Sequence, residues 1–166
     1  MKINLSKTID FLGENISFET AEKLPDFEFN GTQYRVLAPI TVNGFYRADK
    51  NTITVTADIE AVLSVPCDRC LVDTEISVKT AMSDVFSRTG EDEEIYHFNG
   101  HDLVIDRAVM DNVVLSLPMH VLCKADCKGL CPHCGEDLNK DSCNCEIEMK
   151  KANSPFASLD GLFSEE

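Results

Sequence analysis

Positive charge is scarce in this chain. Fifteen Lys+Arg stand against 29 Asp+Glu, a formal net charge of −14 at pH 7. Non-specific nucleic-acid affinity comes mainly from Lys and Arg neutralising phosphates, so the charge balance disfavours a broad phosphate-gripping surface. Long apolar runs are missing too. The opening stretch MKINLSKTIDFLGENISFET has no apolar segment of signal-peptide length and no small-residue cleavage site, so no secretory signal is expected there. No segment approaches the roughly 20 apolar residues that span a bilayer. The expected location is cytoplasmic, where clustered cysteines are more often metal ligands than disulfides. Catalytic signatures are also absent. There is no Gly-rich phosphate loop, no G-x-S-x-G and no H-E-x-x-H, and no carboxylate pair stands in an apolar setting. The expectation is a protein that is not an enzyme.

What the chain does have is cysteine, concentrated at one place. Six of its eight cysteines fall within CKADCKGLCPHCGEDLNKDSCNC, residues 123–145. CPHCG carries the chemistry of a zinc knuckle. Two residues between the thiolates let both reach one metal, and Gly135 permits the left-handed backbone that turns amides toward the sulfurs. CNC adds two thiolates, so Cys131, Cys134, Cys143 and Cys145 make a closed four-thiolate set, with Leu138 available to pack beneath it. A closed set leaves no coordination position for water and is structural rather than catalytic. A second set is expected from Cys67, Cys70, Cys123 and Cys127, which would use every cysteine. Other pairings stay open at this stage: Cys123 or Cys127 in place of one CNC thiol, or His120 or His133 as a substitute ligand. The metal implied is Zn²⁺, one or two structural ions. Four thiolates around Zn²⁺ carry a net charge of about −2, so metal would deepen the acidity of the chain.

The remaining sequence reads as a sheet with a helix. In NTITVTADIEAVLSV the odd positions from Ile53 to Val65 are all apolar and the even ones are polar except Val62, the period-two signature of a long strand with one buried face. Alternation resumes after PCDRC with Val72, Ile76, Val78 and Met82, so an antiparallel hairpin is expected with Cys67 and Cys70 at its tip. YRVLAPITVNGFYRADKN reads as one more strand with Gly44 as a bulge and ADKN as a turn, and ENISFE as a shorter strand. The total expected is four to six strands. HDLVIDRAVMDNVVLSLP repeats Ile105, Val109, Val113 and Leu117 at four-residue steps, which predicts one amphipathic helix stopped by Pro118 and lying on the sheet. The acidic run at residues 91–94 reads as a solvated loop. The fold class is α+β: an antiparallel sheet with long hairpins, one main helix and a small Cys-rich metal-binding appendage. The domain reading is 1–122 for sheet and helix, 123–150 for the Cys-rich segment, and 151–166 for a tail that packs on the domain or is disordered. Phe156, Leu159, Leu162 and Phe163 would give that tail a sticky face.

The order CDRCL, acidic loop, IDRAVMDNVVLSLP, LCKADCKGLCPHCGEDLN, CNC and PFASLDGL resembles the YceD family, the large ribosomal RNA subunit accumulation proteins, in the form with a Cys-rich C-terminal segment. The resemblance runs from residue 34 to residue 163. It implies a bacterial-type cytosolic factor, without enzymatic activity, needed for normal levels of 23S rRNA through its synthesis, processing or stability. Many family members lack most of the ribbon cysteines, which implies that the sheet and helix carry any shared role and that the metal is a local stabiliser. Across residues 123–151 five lysines face six acidic residues, so this segment is no basic patch. The expected partner is therefore the ribosomal large-subunit precursor, reached through a basic protein rather than by extended rRNA contact. Lys124, Lys128 and Lys140 are the candidates for a local RNA or partner contact. No small-molecule substrate and no membrane is expected. Two rival readings remain: a thiol redox protein using Cys67 and Cys70, and a zinc-stabilised protein-interaction domain unrelated to ribosomes.

Overall fold

The computed structural model describes residues 1–5, 13–88, 96–143 and 145. The acidic run at 91–94 and the tail from 146 onward lie outside the described residues. Two compact units divide the chain, Met1–Cys127 and Lys128–Glu166.

The first unit is built on one long hairpin. β6 (Thr52–Pro66) and β7 (Asp73–Ser87) pair antiparallel along their whole length, from Thr52↔Ser87 to Pro66↔Asp73. At about 3.4 Å per residue, 15 residues reach roughly 50 Å. Ile53, Val55, Ala57, Ile59, Ala61, Leu63 and Val65 are all buried, as the period-two pattern demands. On its other edge β6 pairs with β5 (Ile40–Ala48) and then with β4 (Thr32–Val36). β2 (Asn15–Glu22) pairs with β5, β3 (Phe27–Phe29) with β4, and β8 (Tyr96–His97) runs parallel to the end of β7. A separate two-stranded ladder joins β1 (Lys2–Asn4) to β9 (Asp102–Val104).

The structure corrects four local expectations. The described sheets hold seven and two strands, not four to six in all. The segment 34–51 is not one strand: pairing stops at Val36 and resumes at Ile40, with Pro39 supplying no N–H to the ladder between them. Gly44 is not a bulge, since it sits in unbroken register opposite Ala57. Its reason is proximity, because a Cβ on Gly44 would lie 2.2 Å from the Thr56 carbonyl oxygen. Finally, residues 102–104 of the expected helix form β9, and α1 runs only over Asp106–Leu115. Strand pairing with β1 takes that short stretch before the helical period begins.

α1 packs on the hairpin by burying Ala108, Val109 and Val113. Polar contacts fix it in register: Asn112 Nδ2 donates to Asp84 Oδ2 at 2.7 Å, and Ser116 Oγ to Thr80 Oγ1 at 2.7 Å, both on β7. The core beneath is a continuous apolar cluster that includes Ile40, Val55, Ile59, Leu63, Met82, Phe86, Leu103, Ile105 and Val113. The helix ends at Leu115, with Ser116 as its C-cap, two residues before Pro118.

Candidate metal centres

All eight cysteines are free, and their sulfurs gather in two groups of four. The first group, Cys67, Cys70, Cys123 and Cys127, lies at the hairpin tip. Its Sγ atoms all lie within 4.8 Å of one another, with Cys67 to Cys127 at 3.9 Å and Cys70 to Cys123 at 3.6 Å. Four sulfurs at about 2.3 Å from a tetrahedral Zn²⁺ stand about 3.8 Å apart, so the donor set fits that ion. A disulfide would need about 2.05 Å.

The sheet delivers this group. β6 carries Cys67 in immediately after Pro66, and the turn to β7 closes through Leu71 N–H to Cys67 O at 2.9 Å and Cys67 N–H to Val72 O at 2.9 Å. Leu71 takes φ 60, a left-handed value that a leucine adopts only under constraint. The other two sulfurs come from the segment after α1. Asp68 holds that segment from both sides: its N–H donates to Val121 O at 2.9 Å, and its Oδ2 accepts from Val121 N–H at 2.8 Å. Arg69 then donates through its guanidinium to Cys127 O at 2.8 Å, which fixes the backbone of the fourth cysteine. Cys67, Cys70 and Cys127 are buried and Cys123 is exposed.

The second group, Cys131, Cys134, Cys143 and Cys145, belongs to the second unit, and its Sγ atoms also lie within 4.8 Å of one another. Its knuckle repeats the geometry of the tip. Gly135 N–H donates to Cys131 O at 2.9 Å, Gly135 takes φ 74, and His133 N–H reaches Cys131 Sγ at 3.4 Å. The following turn is pinned by a local polar network that the motif reading overlooked. Asp137 Oδ1 accepts from Asn139 N–H at 3.0 Å, and Asn139 Oδ1 accepts from Lys128 N–H at 2.9 Å. The Asn139 side chain is the main reason Asp137 is held below the usual carboxylate range. Leu138 is half-buried and bonds through its N–H to Gly129 O at 3.0 Å.

The thiols divide their protons unevenly. Burial opposes a charge on Cys67, but the backbone amides of Arg69, Cys123 and Cys70 outweigh it and bring that thiol to about 6. Cys123 is pushed up to about 12, first by burial and then by its thiol neighbours. In the second group the amides of Cys134 and His133 hold Cys131 at about 6, while Cys134 beside it and burial push Cys145 to about 12. Each cluster thus readily accommodates a first thiolate and resists charge on two others, Cys70 and Cys123 at the tip and Cys143 and Cys145 in the second group. A bound dication would remove that resistance, because a coordinating thiol is deprotonated outright.

The other candidates are placed as follows. His120 is exposed, and its Nδ1 lies 3.4 Å from Asp68 Oδ2. The His133 side chain is exposed as well. Lys124, Lys128 and Lys140 are exposed, and Lys140 Nζ lies 3.6 Å from Asp137 Oδ2. Sequence reasoning did not identify Asp68 and Arg69 as supports of the tip, although both stand inside the C-x-x-C motif itself. No described helix is long and apolar enough to cross a membrane.

A mainly antiparallel sheet with one helix, carrying four-thiol clusters capable of holding metal, defines a small metal-site α+β protein. Comparison with known proteins makes this specific. The family model for "Large ribosomal RNA subunit accumulation protein YceD" matches residues 55–163, and the chain belongs to that family. The match begins in β6 and takes in all eight cysteines. The family is one of non-catalytic accessory proteins. YlbN of Bacillus subtilis is 28% identical over 163 residues, covering 92% of this chain and 91% of its own. Rv2926c of Mycobacterium tuberculosis is 30% identical over 93 residues, 52% of this chain, and the alignment spans 45% of that longer protein. The chloroplastic YCED homolog 1 of Arabidopsis thaliana is 36% identical over 59 residues, 35% of this chain and 18% of its own. No solved structure matches.

Proposed function

We propose that this chain is a non-enzymatic ribosome-biogenesis factor that supports accumulation of 23S rRNA, by aiding its synthesis, processing or stability. The observation that carries the reading is the family match across residues 55–163, which takes in all but the first three residues of the long hairpin, α1 and both thiol clusters. The factor acts in the cytoplasm and engages the large-subunit precursor through a basic protein, since −14 net charge disfavours a broad rRNA contact and favours a cationic protein surface. Lys124, Lys128 and Lys140 supply a local contact to RNA or partner. Zn²⁺ is held by Cys131, Cys134, Cys143 and Cys145 in one site and by Cys67, Cys70, Cys123 and Cys127 in the other. Both sites are structural. The domain plan in this reading is a sheet-and-helix body, a short zinc-organised segment and a terminal tail.

The test is the ratio of 23S to 16S rRNA after depletion of the protein in its host. A selective fall in 23S is expected, and an unchanged ratio under full depletion would overturn the assignment. One feature favours a thiol redox reading: the backbone amides of Arg69, Cys123 and Cys70 outweigh burial and hold the Cys67 thiol down at about 6. The same property suits a metal ligand, and Cys67 is fully buried. Rapid alkylation of Cys67 and Cys70 in native, metal-loaded protein would decide for redox chemistry; protection until chelator is added is the expected result.

A further inference from the structure

The part of the sheet formed by β2, β5, β6 and β7 has two unlike faces. One is covered by α1 through the Asn112–Asp84 and Ser116–Thr80 contacts and the buried core. The other carries an open groove of about 720 Å³, lined among others by Ser17, Glu19, Asn43, Phe45, Asp58 and Ala81. Short side chains leave this face low: Ser17, Asn43 and Ala81 line it, with Ala81 on β7 opposite Asp58.

The groove sets one exposed aromatic ring close to two carboxylates on a largely polar face. Phe45 is 40% exposed, an aromatic ring standing open in the middle of the face. Glu19 on β2 and Asp58 on β6 are both register partners of Asn43 on β5, so their backbones lie two strand spacings, about 10 Å, apart. Glu60 also lines the groove, but Lys79 at the rim takes it at 2.7 Å. No ion pair to Glu19 or Asp58 forms among the described residues, and no Lys or Arg lines the groove. A separation of about 10 Å matches the width of an α-helix with its side chains. Lysine or arginine stems on such a helix would lie along Phe45 while their heads reach the carboxylates on either side.

We infer that this groove is the docking site for a Lys/Arg-rich helix of a protein partner. The inference rests on the proposed function above and names where its basic partner binds. Phosphate-rich RNA is disfavoured there, because the groove presents carboxylates.

The test places a photo-crosslinking residue, p-benzoylphenylalanine, at position 45 in the full-length protein in its host, with Val104, also exposed, as the control position. A crosslink to a Lys/Arg-rich helical segment is expected at 45 and not at 104. The Glu19→Gln/Asp58→Asn variant should lower its yield at least about fivefold, and a peptide of the captured segment should bind that purified variant about tenfold more weakly at low salt. Both substitutions are on exposed side chains, so the variant should melt as the parent does. A crosslink to RNA or to an acidic protein, no crosslink, or a yield indifferent to the variant would overturn the docking site. Full restoration of 23S levels by the variant in depleted cells would also overturn it while leaving the proposed function standing. An unaffected 23S ratio on depletion of the parent would remove the proposed function, and the crosslink at 45 would then decide the groove independently.

Discussion

The two four-thiol clusters share one local design and differ in what stands behind it. In each, a C-x-x-C turn closes by a hydrogen bond from the fourth residue after the first cysteine, Leu71 to Cys67 and Gly135 to Cys131, both at 2.9 Å. In each, that fourth residue is left-handed. Yet at the hairpin tip it is a leucine and in the second unit a glycine. The tip grows from 15-residue strands over a packed core, which can impose an unfavourable backbone on Leu71. Among the described residues the second knuckle has short turns and the isolated Leu130–Asp137 bridge around it, and there the residue with the least conformational penalty is found. Cooperative surroundings can support local strain, and a segment with no core of its own has none to spare.

The largest effect should come from removing metal in the second unit. Cys134→Ser is expected to lose one zinc per chain and to abolish hydrogen-exchange protection of residues 128–143, with the sheet unaffected. Structural zinc supplies about 10–16 kcal/mol to folding of small sites, far more than these turns can replace. Zinc retained in full, or protection unchanged, would break the comparison from that side.

Next in size is Cys127→Ser at the tip. It should also cost one zinc, but the hairpin should stay folded, with exchange rising only around residues 119–127 and a loss of about 3 kcal/mol in chemical denaturation. Collapse of the whole first unit would mean that the tip metal, not the core, holds the sheet.

A smaller effect is expected from pH. Cys70 and Cys123 at the tip, and Cys143 and Cys145 in the other group, titrate above the ordinary thiol range, so they bind protons that metal must displace. At least two protons released per site make zinc affinity fall about 100-fold per unit as pH drops through 7, and more steeply below about 6, where Cys67 and Cys131 also take up protons. Competition with a chelator at pH 6, 7 and 8 measures the slope, and a flat profile would contradict four-thiolate ligation.

The smallest and sharpest test swaps the left-handed residues. Leu71→Gly should leave stability within about 1 kcal/mol of the parent, since relief of strain offsets added chain entropy. Gly135→Ala should weaken the second unit by about 1 kcal/mol, read as faster zinc loss to chelator. Equal penalties at both positions would erase the contrast.

Much of the architecture is written in short-range pattern. Alternation from Ile53 to Val65 marks β6 because a strand with one buried face must show period two, and the CPHCG spacing marks a thiolate turn for equally local reasons. The misread stretches are those where a neighbour decides. Leu103 belongs to a strand because β1 offers it a ladder, although its apolar spacing also fits the helix that follows. Gly44 resembles a bulge in sequence and is a point of strand contact in space. By itself, then, the sequence determined a long acidic hairpin, one helix, two thiolate pairs at C-x-x-C spacing and a family. Tertiary structure alone decided that Cys67 meets Cys127 across 60 residues, that Asp68 and Arg69 hold that meeting in place, and that Glu19, Phe45 and Asp58 share the open face of the sheet. Those outcomes depend on strand register and chain return, which bring together groups that no local periodicity connects.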